Sequence, residues 1–243
     1  MSFYIKWHDR LDSTNHYLKK IIYEGDIVRS KTIIVAHNQT KGVGRLDRSW
    51  ISPAYTNLCF SFFYAVEVPI PAIPSFTMAM SLAINDYLRS FRMNSQPKWP
   101  NDVLVNNKKI AGILSEHIDS SENSTRGIIT GIGINVNMTK DQIKEIDKPA
   151  TSILIEKGKI SSIKETLEAL IPHLEYWINE WEKNHFESIR TIWETLTGPI
   201  GKELEVHDGK DKIKGKLYGY GKHGELLIDQ EGIVRTIWSG EIP

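Results

Sequence analysis

The segment from Val103 to Asn135 most constrains what this chain can fold into. Val103-Leu104-Val105 and Ile110-Ala111-Gly112-Ile113-Leu114 are apolar runs separated by Asn106-Asn107-Lys108-Lys109, a polar break that predicts a β-hairpin. Gly127 to Asn135 predicts a further strand close behind it. Together these imply a mainly antiparallel or mixed sheet. Two more strands suit it, the β-branched run Thr32 to Ala36 and the aromatic run Leu58 to Tyr64. Helices are predicted from Asp12-Ser13-Thr14-Asn15, a cluster that favours N-caps, and behind Ser75, where Phe76, Met80, Ala83, Tyr87 and Phe91 keep helical spacing. Ser162 and Glu165 form a capping-box pair ahead of Leu167, Leu170, Leu174, Trp177 and Trp181, with Pro172 expected to kink or split that helix.

From about Thr197 the texture changes. Glu203–Val206, Ile213–Tyr220, Leu226–Ile228 and Val234–Trp238 read as short strands punctuated by Asp208-Gly209, His223-Gly224 and Glu231-Gly232, which predicts a small β-barrel. The fold class is therefore α+β: a sheet flanked by helices over 1–196, and a barrel over 197–243. At 243 residues, 40% hydrophobic, with seven Trp, nine Tyr and seven Phe, the chain can bury a substantial core, which argues against disorder.

Thirty basic against thirty acidic residues leave no net field to attract nucleic acid or an anionic membrane, so any basic site must be local. No apolar run approaches the ~20 residues that cross a bilayer, and Lys6, His8, Asp9 and Arg10 stand where a signal peptide needs an apolar core. A cytoplasmic address is expected. Cys59 is the sole cysteine, which excludes an internal disulfide, and its place in Leu58–Phe63 suits a core thiol better than a nucleophile. The Asn-x-Ser/Thr triplets at Asn38, Asn123 and Asn137 mean nothing without secretion. Lys210, Lys212, Lys214 and Lys216 alternate along a strand and read as a solvated face, and no histidine has zinc-ligand spacing.

Two constellations could carry chemistry. Gly42-Val43-Gly44-Arg45-Leu46-Asp47-Arg48-Ser49-Trp50 combines glycines, which let backbone N–H groups approach an anion, with two arginines that supply charge. It is neither a Walker loop nor a dinucleotide fingerprint, and composition alone explains it equally well as a solvated surface loop. Lys98-Trp99-Pro100-Asn101-Asp102 followed by Lys109 on the hairpin offers cations for a carboxylate or phosphate and a carboxylate for metal or ribose. On physics alone, an ordinary Asn-Asp turn with lysines in solvent explains it slightly better.

Order and wording add what physics leaves open. Asp12-Ser13-Thr14-Asn15, Gln39, the Gly/Arg loop ending at Trp50, Lys-Trp-Pro-Asn-Asp-Val with Lys-Ile-Ala-Gly-Ile-Leu, Gly-Ile-Gly-Ile-Asn-Val-Asn, and the closing Trp238-Ser239-Gly240-Glu241-Ile242 together resemble the biotin–protein ligases across nearly the whole chain. The loop departs from the usual Gly-Arg-Gly-Arg-x-Gly-Arg-x-Trp at Val43 and Asp47. The resemblance implies a class II synthetase-like catalytic fold with an SH3-like C-terminal barrel. It implies that Ser13, Thr14, Asn15, Gln39, Gly42, Val43, Lys109 and Gly112 bind biotin, the contact at Val43 being main-chain. It places Arg45, Arg48, Trp50, Lys98, Asn101 and Asn135 around ATP and the adenylate, makes Lys109, Arg45 and Asp102 catalytic, and gives Asp102 a further part in supporting Mg²⁺.

The activity so implied is activation of biotin by MgATP to biotinyl-5′-AMP, followed by transfer to a lysine of a biotin carboxyl carrier protein. With Asp-Ser-Thr-Asn reached by residue 12, no N-terminal winged helix is expected, and no DNA binding. A homodimer is compatible with the resemblance but not fixed by it. Two rivals stand beside this reading, a lipoate–protein ligase and a nonenzymatic module using the lysine-rich barrel.

Overall fold

A computed structural model describes residues 3–122, 124–209 and 211–243, so Asn123 and Lys210 lie outside the described residues. The element order is β1 (Tyr4–Leu11), α1 (Thr14–Tyr23), β2 (Thr32–Gln39), β3 (Leu58–Tyr64), α2 (Ile73–Ser90), β4 (Ser95–Lys98), β5 (Asp102–Val105), β6 (Lys108–Ser120), β7 (Thr125–Ile134), α3 (Lys140–Ile143), α4 (Ile153–Lys157), α5 (Ile163–Asn184), α6 (Phe186–Thr197), β8 (Glu203–Asp208), β9 (Asp211–Tyr220), β10 (Leu226–Gln230) and β11 (Ile233–Ile237). β1 to β7 form one seven-stranded sheet in the order β1-β2-β3-β7-β6-β5-β4. Only its β1–β2 pair is parallel. The hairpin turns at Asn106 and Asn107, both at positive φ, a conformation asparagine tolerates.

Strand periodicity sorts the core into two layers. Leu58, Phe60, Phe62 and Tyr64 of β3 pack with α2 and α5, whereas Phe63, with Ile34 and Ile129, packs under Leu18 and Ile22 of α1. β3 is buried along its whole length because helices cover both faces. α1 crosses only part of its face: Asn15 covers Gly131, and the part beyond the helix holds Gly112 and Gly133.

The helices correct one expectation and narrow another. α2 begins at Ile73 behind Ala72, and Ser75 is not its cap: its hydroxyl donates to the Ala72 carbonyl. Pro74, with its φ already set, starts the helix instead. α5 runs unbroken from Ile163 to Asn184 through Pro172. Burial of Leu167, Leu170, Leu174, Trp177, Ile178 and Trp181 offsets the ~3 kcal/mol that an interior proline costs. Ser162 does cap α5, accepting from the Glu165 N–H.

The C-terminal strands form a four-stranded antiparallel sheet in the order β11-β10-β9-β8. Beyond β11 the tail returns to the opposite edge, where His207 and Glu241 form a bridge through both N–H groups. Trp99, 3% exposed, joins this unit to the large sheet by donating its indole N–H to the Gly224 carbonyl at 3.1 Å. No helix among the described residues is long and apolar enough to cross a membrane.

Candidate active site

A pocket of ≈ 580 Å³ opens on the uncovered part of the sheet, a size suited to a small organic ligand or cofactor. Ser13, Thr14, Asn15, Gln39 and Val43 line it, as do Arg45, Arg48 and Trp50, and Lys98, Asn101, Asp102, Lys109, Gly112 and Asn135. Gly42 is the predicted residue that does not. It is buried behind the loop, its carbonyl accepts the Trp50 N–H at 2.8 Å, and a Cβ there would come within 2.7 Å of the Trp50 carbonyl oxygen. Glycine there lets the two ends of the loop close on each other.

One end of the pocket is neutral and polar. Ser13 caps α1, and Gln39 at the end of β2 turns its amide oxygen to the Thr14 N–H at 2.9 Å. This follows from β1 and β2 running parallel with α1 as the crossover, which sets the first turn of the helix beside the C-terminal end of β2. Between the ends lies Trp50. Gly112 and Gly133 are directly opposite partners in β6 and β7, and with no side chains they leave a flat bed on which its indole rests. Lys109 Nζ stands 5.6 Å from that ring and 2.6 Å from Asp102 Oδ1.

The other end is cationic. Arg45 reaches the Asn101 amide oxygen and the Gly240 carbonyl, both at 3.3 Å, and Arg48 meets Glu241 at 2.7 Å. Lys148 also pairs with Glu241. Burial pushes the pKa values of Arg45 and Lys98 down; for Lys98 the neighbouring Lys109 and Lys202 push the same way, against Asp102. Burial likewise lowers Lys148, helped by Arg48. Such crowding stabilises a bound anion, whose charge relieves both the repulsion and the desolvation. Asn135 lies beneath this end, 1% exposed, its amide donating to the Thr151 carbonyl and accepting from Asn57.

Three contributors escaped sequence reasoning. Lys148 is delivered by the segment before α4, where the Lys109 N–H donates to the Pro149 carbonyl and the Thr151 N–H to the Lys109 carbonyl; alone in the sequence it reads as a surface lysine. Glu241 was visible only as part of the closing motif. Gly133 was visible as one of several strand glycines, and only its pairing with Gly112 gives it meaning. Among the described residues no cluster of three His, Cys, Asp or Glu could hold a metal ion. Cys59 is buried, and burial pushes its thiol pKa up, which fits a core thiol.

Residues 7–135 match the biotin/lipoate A/B protein ligase family. A Bacillus spizizenii protein named bifunctional ligase/repressor BirA is 29% identical over 87% of this chain, which spans 65% of that protein's length. A Paracoccus denitrificans protein named biotin–[acetyl-CoA-carboxylase] ligase is 27% identical over 90% of this chain and 91% of its own. The structure is similar to that of a biotin protein ligase from Aquifex aeolicus in complex with biotin and ATP, with TM-score 0.79 and 30% identity over 99% of this chain and 97% of that one.

Proposed function

This chain belongs to the biotin/lipoate A/B protein ligase family, and on that premise we propose that it is a biotin–protein ligase, which adenylates biotin with ATP and passes the biotinyl group to a carrier-protein lysine. The observation that carries this reading is a single pocket with two chemically different ends. The neutral end, Ser13, Thr14, Asn15 and Gln39 with the Val43 backbone, suits a cyclic urea that both donates and accepts. The cationic end, Arg45, Arg48, Lys98 and Lys148 with Asn101 and Asn135, suits a triphosphate. The names of the relatives favour biotin over lipoate.

In this assignment Trp50 and Gly112 wall the biotin ring system, and Lys109 stands where the carboxylate meets the α-phosphate. A carboxylate oxygen attacks the α-phosphorus and pyrophosphate leaves. The charge that spreads over the phosphoryl oxygens in that step is met by Lys109 and Arg45, fixed donors in a partly desolvated site. In the second step the carrier lysine, as the free amine, attacks the acyl carbon and AMP departs. Asp102, held by Lys109, lies at hand to take the proton. Mg²⁺ enters as part of the MgATP substrate; with Asp102 paired to Lys109 and Glu241 to Arg48 and Lys148, phosphate oxygens would supply most of its ligands.

We assign the catalytic unit to 1–196 and the barrel to 197–243, with Gly240 and Glu241 of the barrel reaching back to the cationic end. Biotin-dependent exchange of labelled pyrophosphate into ATP tests the reading. Exchange with biotin and none with lipoate is expected, and labelled biotin should then appear on a carboxyl carrier domain. Exchange driven by lipoate, or by neither acid, would remove it.

A further inference from the structure

Behind the neutral end of the pocket a chain of polar side chains runs from Thr14 and Asn15 to the protein surface, and its members Ser61, Glu116 and Lys19 have no part in the assignment above. Lys19 on α1 pairs with Glu116 on β6. Glu116 Oε2 lies 2.8 Å from Asn15 Nδ2, which also faces the Leu114 carbonyl at 3.3 Å. Asn15 Oδ1 lies 2.5 Å from Ser61 Oγ, and Ser61 Oγ lies 2.6 Å from Thr14 Oγ1. Thr14, Asn15 and Ser61 are all buried, Ser61 completely. Gly131 makes the path possible, since a Cβ there would come within 2.2 Å of Asn15 Oδ1.

The donors and acceptors along this chain admit one direction only. A carboxylate held by an ammonium group accepts and cannot donate, and so does a backbone carbonyl. Asn15 must therefore turn its NH₂ to Glu116 and Leu114 and its oxygen to Ser61. Ser61 has one proton, and the Asn15 oxygen takes it. The Ser61–Thr14 contact then needs the Thr14 proton, so Thr14 donates inward to Ser61. The longer approach of Thr14 Oγ1 to Gln39 Oε1, at 3.1 Å, loses its claim on that proton. What remains on Thr14 Oγ1, on a residue that lines the pocket, is a pair of lone pairs and no proton to give.

We infer that Glu116, with Lys19, is a positioning residue that acts through Asn15 and Ser61 to lock the Thr14 hydroxyl as an acceptor, so that the site demands an N–H donor from its ligand. Resting on the biotin reading above, this makes one ureido N–H of biotin the group selected. A ligand with an acceptor in that place meets lone pairs with lone pairs and leaves a buried group unpaired, the situation by which polar sites reject close analogues.

The test compares biotin with its two cyclic carbamate analogues, in each of which a ring oxygen replaces one ureido N–H. Titration calorimetry is run on the wild-type chain, Ser61→Ala and Glu116→Ala, which unlike a glutamine leaves no side-chain acceptor for the Asn15 amide, with circular dichroism to confirm folding. Glu116 is partly exposed, so its variant keeps the test alive if the buried Ser61→Ala does not fold. In the wild type one carbamate should bind at least ~10-fold more weakly than biotin. In both variants that ratio should shrink at least severalfold, because a released Thr14 hydroxyl can turn and donate to the ring oxygen. A network that only holds the fold together would weaken both ligands in proportion, and an unchanged ratio in folded variants overturns the inference while leaving the ligase reading intact. A wild-type chain that binds no biotin overturns both.

Discussion

The indole of Trp50 lies on Gly133 so closely that a Cβ at that glycine would come within 2.4 Å of the ring. The loop that ends at Trp50 is thus seated on the sheet by an absence of side chain, at a strand position that must be as small as possible. Gly133→Ala should displace the indole, raise the KM for biotin at least tenfold and lower stability by the ~1–3 kcal/mol typical of overpacking. Adding Trp50→Ala to Gly133→Ala should restore the melting temperature without restoring biotin affinity. If Gly133→Ala alone binds biotin as the wild type does, the ring is not part of the site.

Lys109 is expected to matter more to chemistry than to folding. Its side chain is 29% exposed and paired with Asp102, so Lys109→Ala costs the fold one partly exposed pair, on the order of 1 kcal/mol. A charged hydrogen bond to the reacting carboxylate or phosphate is worth ~1.5–3 kcal/mol, so adenylate formation should fall by roughly 10–150-fold. Pyrophosphate exchange beside a thermal melt separates the two effects, and a folded variant with undiminished exchange would show that Lys109 has another task.

The pH dependence follows from burial. Lys98 and Lys148 bind phosphate only as ammonium groups, and their pKa values lie below the ordinary 10.5, so each loses its charge earlier than a free lysine as pH rises. ATP affinity should therefore decline on the alkaline side, beginning below pH 10.5. For stability the sign is opposite: a cation disfavoured in the fold costs stability at low pH, and the cost is relieved as pH climbs through the lowered pKa. Lys98→Arg keeps the charge throughout and should flatten much of the decline in ATP titrations from pH 7.5 to 10. A decline equal to that of the wild type would exclude Lys98.

Much of this was legible in the sequence, and the limits have physical causes. The hairpin through Asn106 and Asn107 and the cap at Ser13 are local, so residues adjacent in the chain decide them. Ser75 failed as a cap because Pro74 starts the helix earlier, and Pro172 failed to split α5 because tertiary burial outweighed a local penalty. In the pocket, side chains carried on motifs, from Ser13 to Asn135, were legible as residues that could gather. Lys148 and Glu241 were not, because each becomes a site residue only when a distant segment folds back. Gly42 and Gly133 show the same limit from the other side, for a glycine's sequence cannot say which neighbour needs the space.

Arg45 ties the loop down at its middle. It reaches Asn101 in the turn between β4 and β5 and the Gly240 carbonyl on the tail of the C-terminal unit, while Leu46 beside it sits at φ 54°, a conformation that costs a non-glycine residue energy and that surrounding contacts must hold. Arg45→Gly removes both contacts and the charge that the proposed reaction would turn toward the adenylate. Losing one charged hydrogen bond, ~1.5–3 kcal/mol, should speed escape of biotinyl-adenylate by roughly 10–150-fold. The intermediate would then acylate lysines in solution, and labelling of bystander proteins should rise while transfer to the carrier falls. Limited proteolysis at Arg48, with and without biotin and ATP, should show ligand protection in the wild type and little in Arg45→Gly. A chase that times release of labelled adenylate gives the rate directly. An unchanged rate would mean that the intermediate is retained by the walls of the pocket, with Trp50 and Lys109 as the next residues to alter.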